Sequence, residues 1–163
     1  MFSSDITDLA QAVVAASRRS GLMVATAESC TGGLVAGAIT AVAGSSDALD
    51  RGFVTYSNAA KAAMLGVAPE LIEAHGAVSE PVSRAMAEGA AALSEAEVAV
   101  AVTGIAGPGG GSDEKPVGLV HFAATGPQGT IHQARQFGDI GREAVRAASV
   151  RVALEMLLER LGA

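Results

Sequence analysis

The sequence lacks tryptophan and has only one tyrosine and four phenylalanines among its 163 residues. Because half of the residues are nevertheless hydrophobic, alanine, valine, leucine and isoleucine must supply the core. Such small aliphatic side chains suit helices that pack closely on a sheet. A chain of this length can bury a substantial core, so we expect residues 1–163 to form a single domain.

Cysteine, basic clusters and long apolar runs are also scarce. The single cysteine, Cys30, excludes an intrachain disulfide and is typical of a reducing compartment. The formal net charge of −6 and the lack of a basic run argue against a nucleic-acid partner. No uninterrupted apolar run reaches about 18 residues, and the first residues lack the layout of a signal peptide. We therefore expect a cytoplasmic protein that binds neither nucleic acid nor membrane.

The three histidines are too widely spaced to predict a metal site. His75, His121 and His132 lie far apart in the sequence, and none has a second ligand at a usable spacing. We expect neither a metal ion nor another cofactor.

What the sequence does contain is an alternation of helical and strand patterns, which predicts an α/β fold. Helices between the first three strands predict parallel pairing, and the short connections around the fourth strand favour antiparallel neighbours. The expected architecture is a three-layer α/β/α sandwich with a mixed five-stranded sheet in which only strand four is antiparallel. The predicted strands cover residues 22–27, 52–56, 98–103, 117–124 and 130–137, and the predicted helices cover 5–20, 32–42, 59–65, 69–74, 80–93 and 141–161, with a short helical turn at 47–50.

A polar turn, residues 26–33 (TAESCTGG), separates the first strand from the second helix. Side chains in such a turn lie at the carboxyl edge of the sheet, where open α/β folds bind ligands. One interpretation is plain helix capping by Ser29 or Thr31, and this stretch alone favours it. The other makes Ser29 a nucleophile, with the backbone amides of residues 31–33 in its oxyanion hole.

Polar residues also lie at the ends of the next two strands, which should meet the first strand at the same edge. Tyr56 and Lys61 follow the second strand, and Thr103 ends the third. A nucleophilic serine needs a neighbour that takes its proton. Lys61 is suited to this if burial lowers its pKa, with Tyr56 relaying the proton or holding the lysine. The alternatives, a solvent-exposed Lys61 and a core Tyr56, stay open at this point.

Cys30 is a rival nucleophile. The helix N-terminus beside it is expected to lower the pKa of its thiol. No histidine lies near it in the sequence, however, and a lone cysteine is more often a small buried apolar residue. Ser29 and Cys30 are adjacent and cannot both point the same way in an extended backbone. Ser29 is preferred because of the resemblance described below.

A glycine-rich loop, residues 104–116, follows the third strand. Its glycines would let backbone N–H groups approach an anion, although the loop lacks the Gly-Lys-Ser/Thr of a P-loop. Arg142 lies in the first turn of the last helix, the less favourable end of the helix dipole for a cation. That placement favours an anionic partner such as a phosphate, and Lys115 and Arg146 are weaker candidates for the same role.

Five segments together resemble the CinA C-terminal domain family, the nicotinamide-nucleotide amidohydrolases. They match in order and at near-constant spacing over nearly the whole chain, at residues 27–33, 52–58 with Lys61, 75–80, 103–108 and 114–118. Several long segments in order are far more specific than any single glycine motif.

The resemblance implies hydrolysis of the carboxamide of nicotinamide mononucleotide (NMN) to nicotinic acid mononucleotide and ammonia, in pyridine-nucleotide recycling. It implies a metal-free serine–lysine mechanism with Ser29 as nucleophile, Lys61 as base and Tyr56 as its partner, and a homo-oligomer. Larger family members carry a further N-terminal domain that this chain is expected to lack. The expected substrate-binding residues are Cys30, Thr31, Gly32, Gly33, Thr103, Gly104, Gly107 and Arg142.

Two other functions stay open. One is a non-catalytic nucleotide-binding module that kept the pocket and lost the reaction, against which the presence of Ser29, Tyr56 and Lys61 argues. The other is an amidase that acts on a different amide. Arg142 and the glycine-rich loop favour a phosphorylated substrate over such an amide, but only weakly.

Overall fold

The two most apolar strand segments of the sequence form the centre of the sheet in the computed structural model, which describes residues 1–163. All five residues of β1 (Val24–Glu28) are buried, as are six of the seven residues of β3 (Val98–Gly104). Because helices cover both faces of these strands, their sequences are nearly continuous apolar runs and do not alternate with polar residues.

Three further strands complete a sheet with the order β2-β1-β3-β4-β5. They are β2 (Leu49–Val54), β4 (Leu119–Gly126) and β5 (Gly129–Gln136). β1 is parallel to β2 and β3, whereas β4 is antiparallel to both of its neighbours. The prediction of a mixed sheet with only strand four reversed is therefore confirmed.

Six α-helices flank the sheet: α1 (Ser4–Ser20), α2 (Leu34–Thr40), α3 (Asn58–Leu65), α4 (Pro69–His75), α5 (Glu80–Ala92) and α6 (Arg142–Arg160). Valines of β1 and β3 pack in one core with α1, α2 and α6. Alanines at the alternate positions of these strands pack in a second core with α3, α4 and α5. The sheet is thus the middle layer of the predicted α/β/α sandwich. None of the helices is both long enough and apolar enough to span a bilayer.

Most strand boundaries differ from the prediction by one to three residues. β2 begins at Leu49, three residues before the predicted start at 52, and a 3₁₀ helix (Ser45–Asp47) takes the place of the helical turn predicted at 47–50. Every residue of β2 is exposed or half-buried, so this edge strand lacks the apolar pattern that marks a central one. β4 begins at Leu119 instead of 117.

The carboxyl ends of β1, β2 and β3 lie at one edge of the sheet. Glu28, the last residue of β1, pairs in register with Val54 on one side and with Val102 on the other. Beyond it the Ser29 N–H donates to the Val102 carbonyl at 3.0 Å, and the Thr55 N–H donates to the Glu28 carbonyl at 2.9 Å. The chain segments that carry the candidate residues therefore leave the sheet side by side, as expected from the topology.

Candidate active site

Ser29 is held by its backbone in the turn between β1 and α2. Its N–H donates to the Val102 carbonyl at 3.0 Å, and its carbonyl accepts the N–H of Gly32 at 3.0 Å. The N–H is thus hydrogen-bonded to the neighbouring strand, and the carbonyl is hydrogen-bonded within the turn. The half-buried side chain is left to face the cavity described below.

The side chain that caps α2 belongs to Glu28, not to Ser29 or Thr31. The fully buried Glu28 carboxylate accepts the backbone N–H groups of Val35 at 2.8 Å and Ala36 at 3.1 Å. Thr31 is fully buried too, but its hydroxyl has no hydrogen-bond partner. The capping interpretation of Ser29 and Thr31 is therefore wrong, and the Ser29 hydroxyl is available for another task.

We expect Glu28→Gln to lower the free energy of unfolding by about 2 kcal/mol, because the amide turns an NH₂ group toward one of the two N–H donors. Urea denaturation measures the change. Glu97→Gln is the matched control, because the exposed Glu97 carboxylate accepts one backbone N–H, from Met23 at 2.9 Å. Glu97→Gln should lower the free energy of unfolding by less than about 1 kcal/mol. Equal losses in the two variants would contradict the capping assignment.

Lys61 is buried beside Ser29. The side chain extends from α3, whose first turn is capped by Ser57 through a 3.0 Å bond from the Ala60 N–H. Lys61 is 1% exposed, and its Nζ donates to Ser29 Oγ at 3.2 Å and to the Thr55 carbonyl at 2.9 Å. Burial lowers the pKa of this lysine below its ordinary value. The alternative of a solvent-exposed Lys61 is wrong, and the geometry is that of a nucleophile beside a base.

Burial shifts the pKa of Cys30 upward, whereas it shifts that of Lys61 downward. Cys30 is 6% exposed, and burial raises the pKa of its thiol to about 11, with a smaller contribution from the charge of Glu28. The expected lowering of this pKa by the helix N-terminus is wrong, because the loss of hydration is the larger effect. The thiol is protonated at neutral pH, which disfavours Cys30 as the nucleophile.

Tyr56 lies at the mouth of the site and makes no hydrogen bond to the buried lysine. It is 64% exposed, and its hydroxyl accepts a hydrogen bond from Arg142 Nη2 at 3.1 Å. Arg142 Nη1 also donates to the Gly107 carbonyl at 2.9 Å. The alternative of a core Tyr56 is wrong. The contact expected between Tyr56 and Lys61 is made instead by the Thr55 carbonyl.

These side chains share a cavity of about 220 Å³. Of the residues expected to form the site, it brings together Ser29, Cys30, Tyr56, Lys61, Thr103, Gly104 and Arg142. Sequence reasoning missed four further lining residues, Asn58, Ala77, Val78 and Ala106. The Ala77 carbonyl accepts a hydrogen bond from the Thr103 hydroxyl at 2.9 Å, which holds this residue at the site.

Four of the expected substrate-binding residues do not line this cavity: Thr31, Gly32, Gly33 and Gly107. Thr31 is completely buried. Gly107 contacts the site only through its carbonyl, which holds Arg142. The exposed glycines 109–111 lie outside the cavity as well, so the structure does not gather the glycine-rich loop around an anion at this site.

The histidines lie away from the cavity. His121 Nδ1 and His132 Nε2, on β4 and β5, are 2.9 Å apart and share a hydrogen bond. No group of three or more His, Cys, Asp or Glu side chains is arranged to hold a metal ion.

Comparison with known proteins assigns the chain to a family. The model of the CinA C-terminal domain matches residues 6–161. The chain belongs to the CinA C-terminal domain family. One relative of this CinA-family chain is the nicotinamide-nucleotide amidohydrolase PncC of Escherichia coli K12, which is 49% identical over 98% of this chain and 97% of its own length.

Other members of the CinA family are longer. A CinA-like protein of Parasynechococcus marenigrum WH8102 is 53% identical over 94% of this chain, which spans 37% of that relative. Among solved structures, the competence/damage inducible protein CihA of Agrobacterium tumefaciens is 55% identical, with a TM-score of 0.97 over 100% of this chain and 99% of its own. A competence damage-inducible protein A of Klebsiella pneumoniae is 40% identical, with a TM-score of 0.91 over 96% of this chain and 97% of its own.

Of the four missed residues of this CinA-family site, only Asn58 could have been found from the sequence. Asn58 is one of the polar residues between Tyr56 and Lys61, but in the sequence its side chain suits a helix cap as well as a site. In the structure Ser57 makes the cap, and Asn58 lines the cavity. Ala77, Val78 and Ala106 carry no polar side chain, so no pattern of residue types marked them.

Proposed function

We propose that this protein hydrolyses the carboxamide of NMN to nicotinic acid mononucleotide and ammonia, with Ser29 as the nucleophile and Lys61 as the base. The observation that carries the proposal is the 3.2 Å contact between Lys61 Nζ and Ser29 Oγ, made by a lysine that is 1% exposed. The similarity to the Escherichia coli nicotinamide-nucleotide amidohydrolase over nearly the full length of both chains supports NMN as the substrate and pyridine-nucleotide recycling as the setting.

The first chemical step is attack by Ser29 Oγ on the carboxamide carbon, while the hydroxyl proton passes to Lys61 Nζ. Only the neutral amine accepts this proton, so the step needs a lysine that is deprotonated in the free enzyme. Burial lowers the pKa of Lys61 in the direction that the step requires. The Thr55 carbonyl, 2.9 Å from Nζ, orients the amine without a counter-charge that would favour the ammonium form.

Negative charge then develops on the carboxamide oxygen, and the Cys30 N–H is its best-placed donor. In hydrolases with a nucleophile on a strand-to-helix turn, the residue after the nucleophile supplies such an N–H. The Cys30 N–H donates to no carbonyl or side-chain oxygen, whereas those of Ser29 and Gly32 are engaged. Because Cys30 lines the cavity and residues 31–33 do not, we place the oxyanion hole at Cys30.

Collapse of the tetrahedral intermediate breaks the C–N bond. Lys61 returns its proton to the departing nitrogen, which leaves as ammonia, and Ser29 keeps the acyl group as an ester. Water then attacks this ester with Lys61 again acting as the base. The products are the carboxylate of nicotinic acid mononucleotide and the regenerated Ser29 hydroxyl.

At the cavity mouth, Arg142 and Tyr56 are placed to hold the phosphorylated part of the substrate. Arg142 is exposed and makes no ion pair with a carboxylate, although the protein carries a net charge of −6. An arginine without an anionic partner suits phosphate. We also propose that the protein is cytoplasmic and forms a homo-oligomer. Val54 and Ile140, which precede Tyr56 and Arg142 by two residues each, are 46% and 55% exposed and offer apolar surface for a contact between subunits.

Ammonia release by the purified protein from NMN, nicotinamide riboside and nicotinamide tests this function. We expect kcat/KM for NMN to exceed that for the riboside, which lacks the phosphate, by at least about tenfold. Arg142→Gln should remove most of that preference by raising the KM for NMN alone. Binding of NMN without turnover would identify a non-catalytic module, and a faster reaction with a phosphate-free amide would identify a different amidase.

A further inference from the structure

We propose that Arg146 is a positioning residue for the reaction, which holds the turn that carries Ser29 and the Cys30 N–H without touching the substrate. This inference rests on the proposed amide hydrolysis. It concerns a side chain of α6 that is separated from the turn by more than a hundred residues in sequence.

Arg146 binds two successive carbonyls of the nucleophile turn. Its Nε donates to the Cys30 carbonyl at 3.0 Å, and its Nη2 donates to the Thr31 carbonyl at 3.2 Å. A guanidinium is planar and presents its donors in a fixed fork, so two contacts on neighbouring peptides fix their orientation together. No other side chain donates to the backbone of residues 29–31.

The turn has few other restraints at this point. The Ser29 carbonyl accepts the Gly32 N–H, while the Cys30 carbonyl accepts only Arg146. Without the guanidinium, the peptide after Cys30 would be free to rotate, and the Cys30 N–H and Ser29 Oγ would shift with it. A small displacement of this kind is costly in catalysis, because the reacting groups must be held close to their productive geometry.

Arg146 acts from behind the turn, not from within the cavity. Ser29 and Cys30 line the cavity of about 220 Å³, whereas Arg146 is absent from its lining. The arginine instead lines an adjoining groove between α1, α2 and α6, which shares Arg142 with the cavity and is also lined by Phe2 and Leu34. It therefore acts on the reaction without contacting the substrate, by holding the turn and by its charge.

The charge of Arg146 also favours negative charge beside Ser29. No carboxylate lies within ion-pair distance of this guanidinium. Together with Arg142, it lowers the pKa of the Cys30 thiol, against the larger raising effect of burial. A field that stabilises an anion at Cys30 acts in the same sense on an oxyanion held by the Cys30 N–H.

Kinetics of Arg146→Ala, with Arg151→Ala as the matched control, test this role. Arg151 lies on the same helix and pairs with Asp5 at the surface. We expect kcat for NMN hydrolysis to fall on the order of 100-fold in Arg146→Ala with KM within about threefold of the wild type, and Arg151→Ala to keep its kcat. Millimolar ethylguanidinium should restore at least about tenfold of the lost rate to Arg146→Ala, because it returns the missing donors.

An unchanged kcat, a rise in KM in place of the fall in kcat, or an equal fall in Arg151→Ala would overturn the proposal. So would a folded Arg146→Ala that ethylguanidinium does not rescue.

A second experiment separates this inference from the choice of substrate. The rate at which a fluorophosphonate labels Ser29 is measured from the mass of the intact protein. If the wild type labels but releases no ammonia from NMN, the proposed substrate is wrong, and slower labelling of Arg146→Ala still supports the role of Arg146. A wild type that does neither overturns both.

Discussion

Lys61→Met is expected to lower kcat/KM for NMN by about 10³-fold or more, because the same amine takes the proton from Ser29 and returns it to the leaving nitrogen. Methionine fills a similar volume without a charge, so the fold should be retained. The matched control is Lys115→Met, which alters the only other lysine of the chain. Lys115 lies outside the cavity and donates to the His75 carbonyl. Steady-state ammonia release from the three proteins measures the difference.

The pH dependence of the same variants tests the state of the lysine. Since Lys61 acts as a neutral base, kcat/KM of the wild type should rise with pH to a plateau, with its midpoint below the ordinary lysine value of 10.5. The free energy of unfolding should also depend on pH. Between the lowered pKa and 10.5, Lys61 carries a proton in the unfolded chain but not in the folded chain. The wild type therefore gains stability relative to Lys61→Met as the pH rises through that window. A constant difference in unfolding free energy from neutral pH to 10.5 would contradict the lowered pKa.

Ser29→Ala is expected to abolish ammonia release, with a loss on the order of 10⁴-fold or more, because no other hydroxyl contacts Lys61 Nζ. The protein should fold normally, since the Ser29 side chain does not cap α2. Cys30→Ala is the informative control. The buried thiol, with its pKa raised to about 11, is protonated at neutral pH, and its removal should leave kcat within about threefold of the wild type. Loss of activity in Cys30→Ala alone would reverse the assignment of the nucleophile.

The sheet and the meeting of Ser29, Lys61 and Thr103 were predictable because they follow from patterns spread along whole elements. The apolar runs of β1 and β3 marked central strands, and the helices between the first three strands required parallel pairing. Once these strands were parallel, their carboxyl ends had to share one edge. The position of the site therefore did not depend on any single contact.

Details that depend on individual side-chain contacts were not predictable in the same way. Glu28 lies seven and eight residues before the amides it caps, a spacing outside the local capping rules, so Ser29 and Thr31 were the obvious but wrong choices. The orientation of Tyr56 is tied to Arg142, which is 86 residues away. Arg146 was only a weaker candidate for a phosphate contact, and its hydrogen bonds to the Cys30 and Thr31 carbonyls follow from the packing of α6 against the turn.

The most direct test of the serine–lysine mechanism is to find where the acyl group resides during turnover. Wild-type protein mixed with NMN and quenched in acid within the first turnovers should contain a species heavier by the mass of NMN minus ammonia. Peptide mapping should place this acyl group on Ser29, and Ser29→Ala should show neither the adduct nor ammonia release. An adduct on Cys30, or ammonia release from NMN by Ser29→Ala at the wild-type rate, would contradict the mechanism.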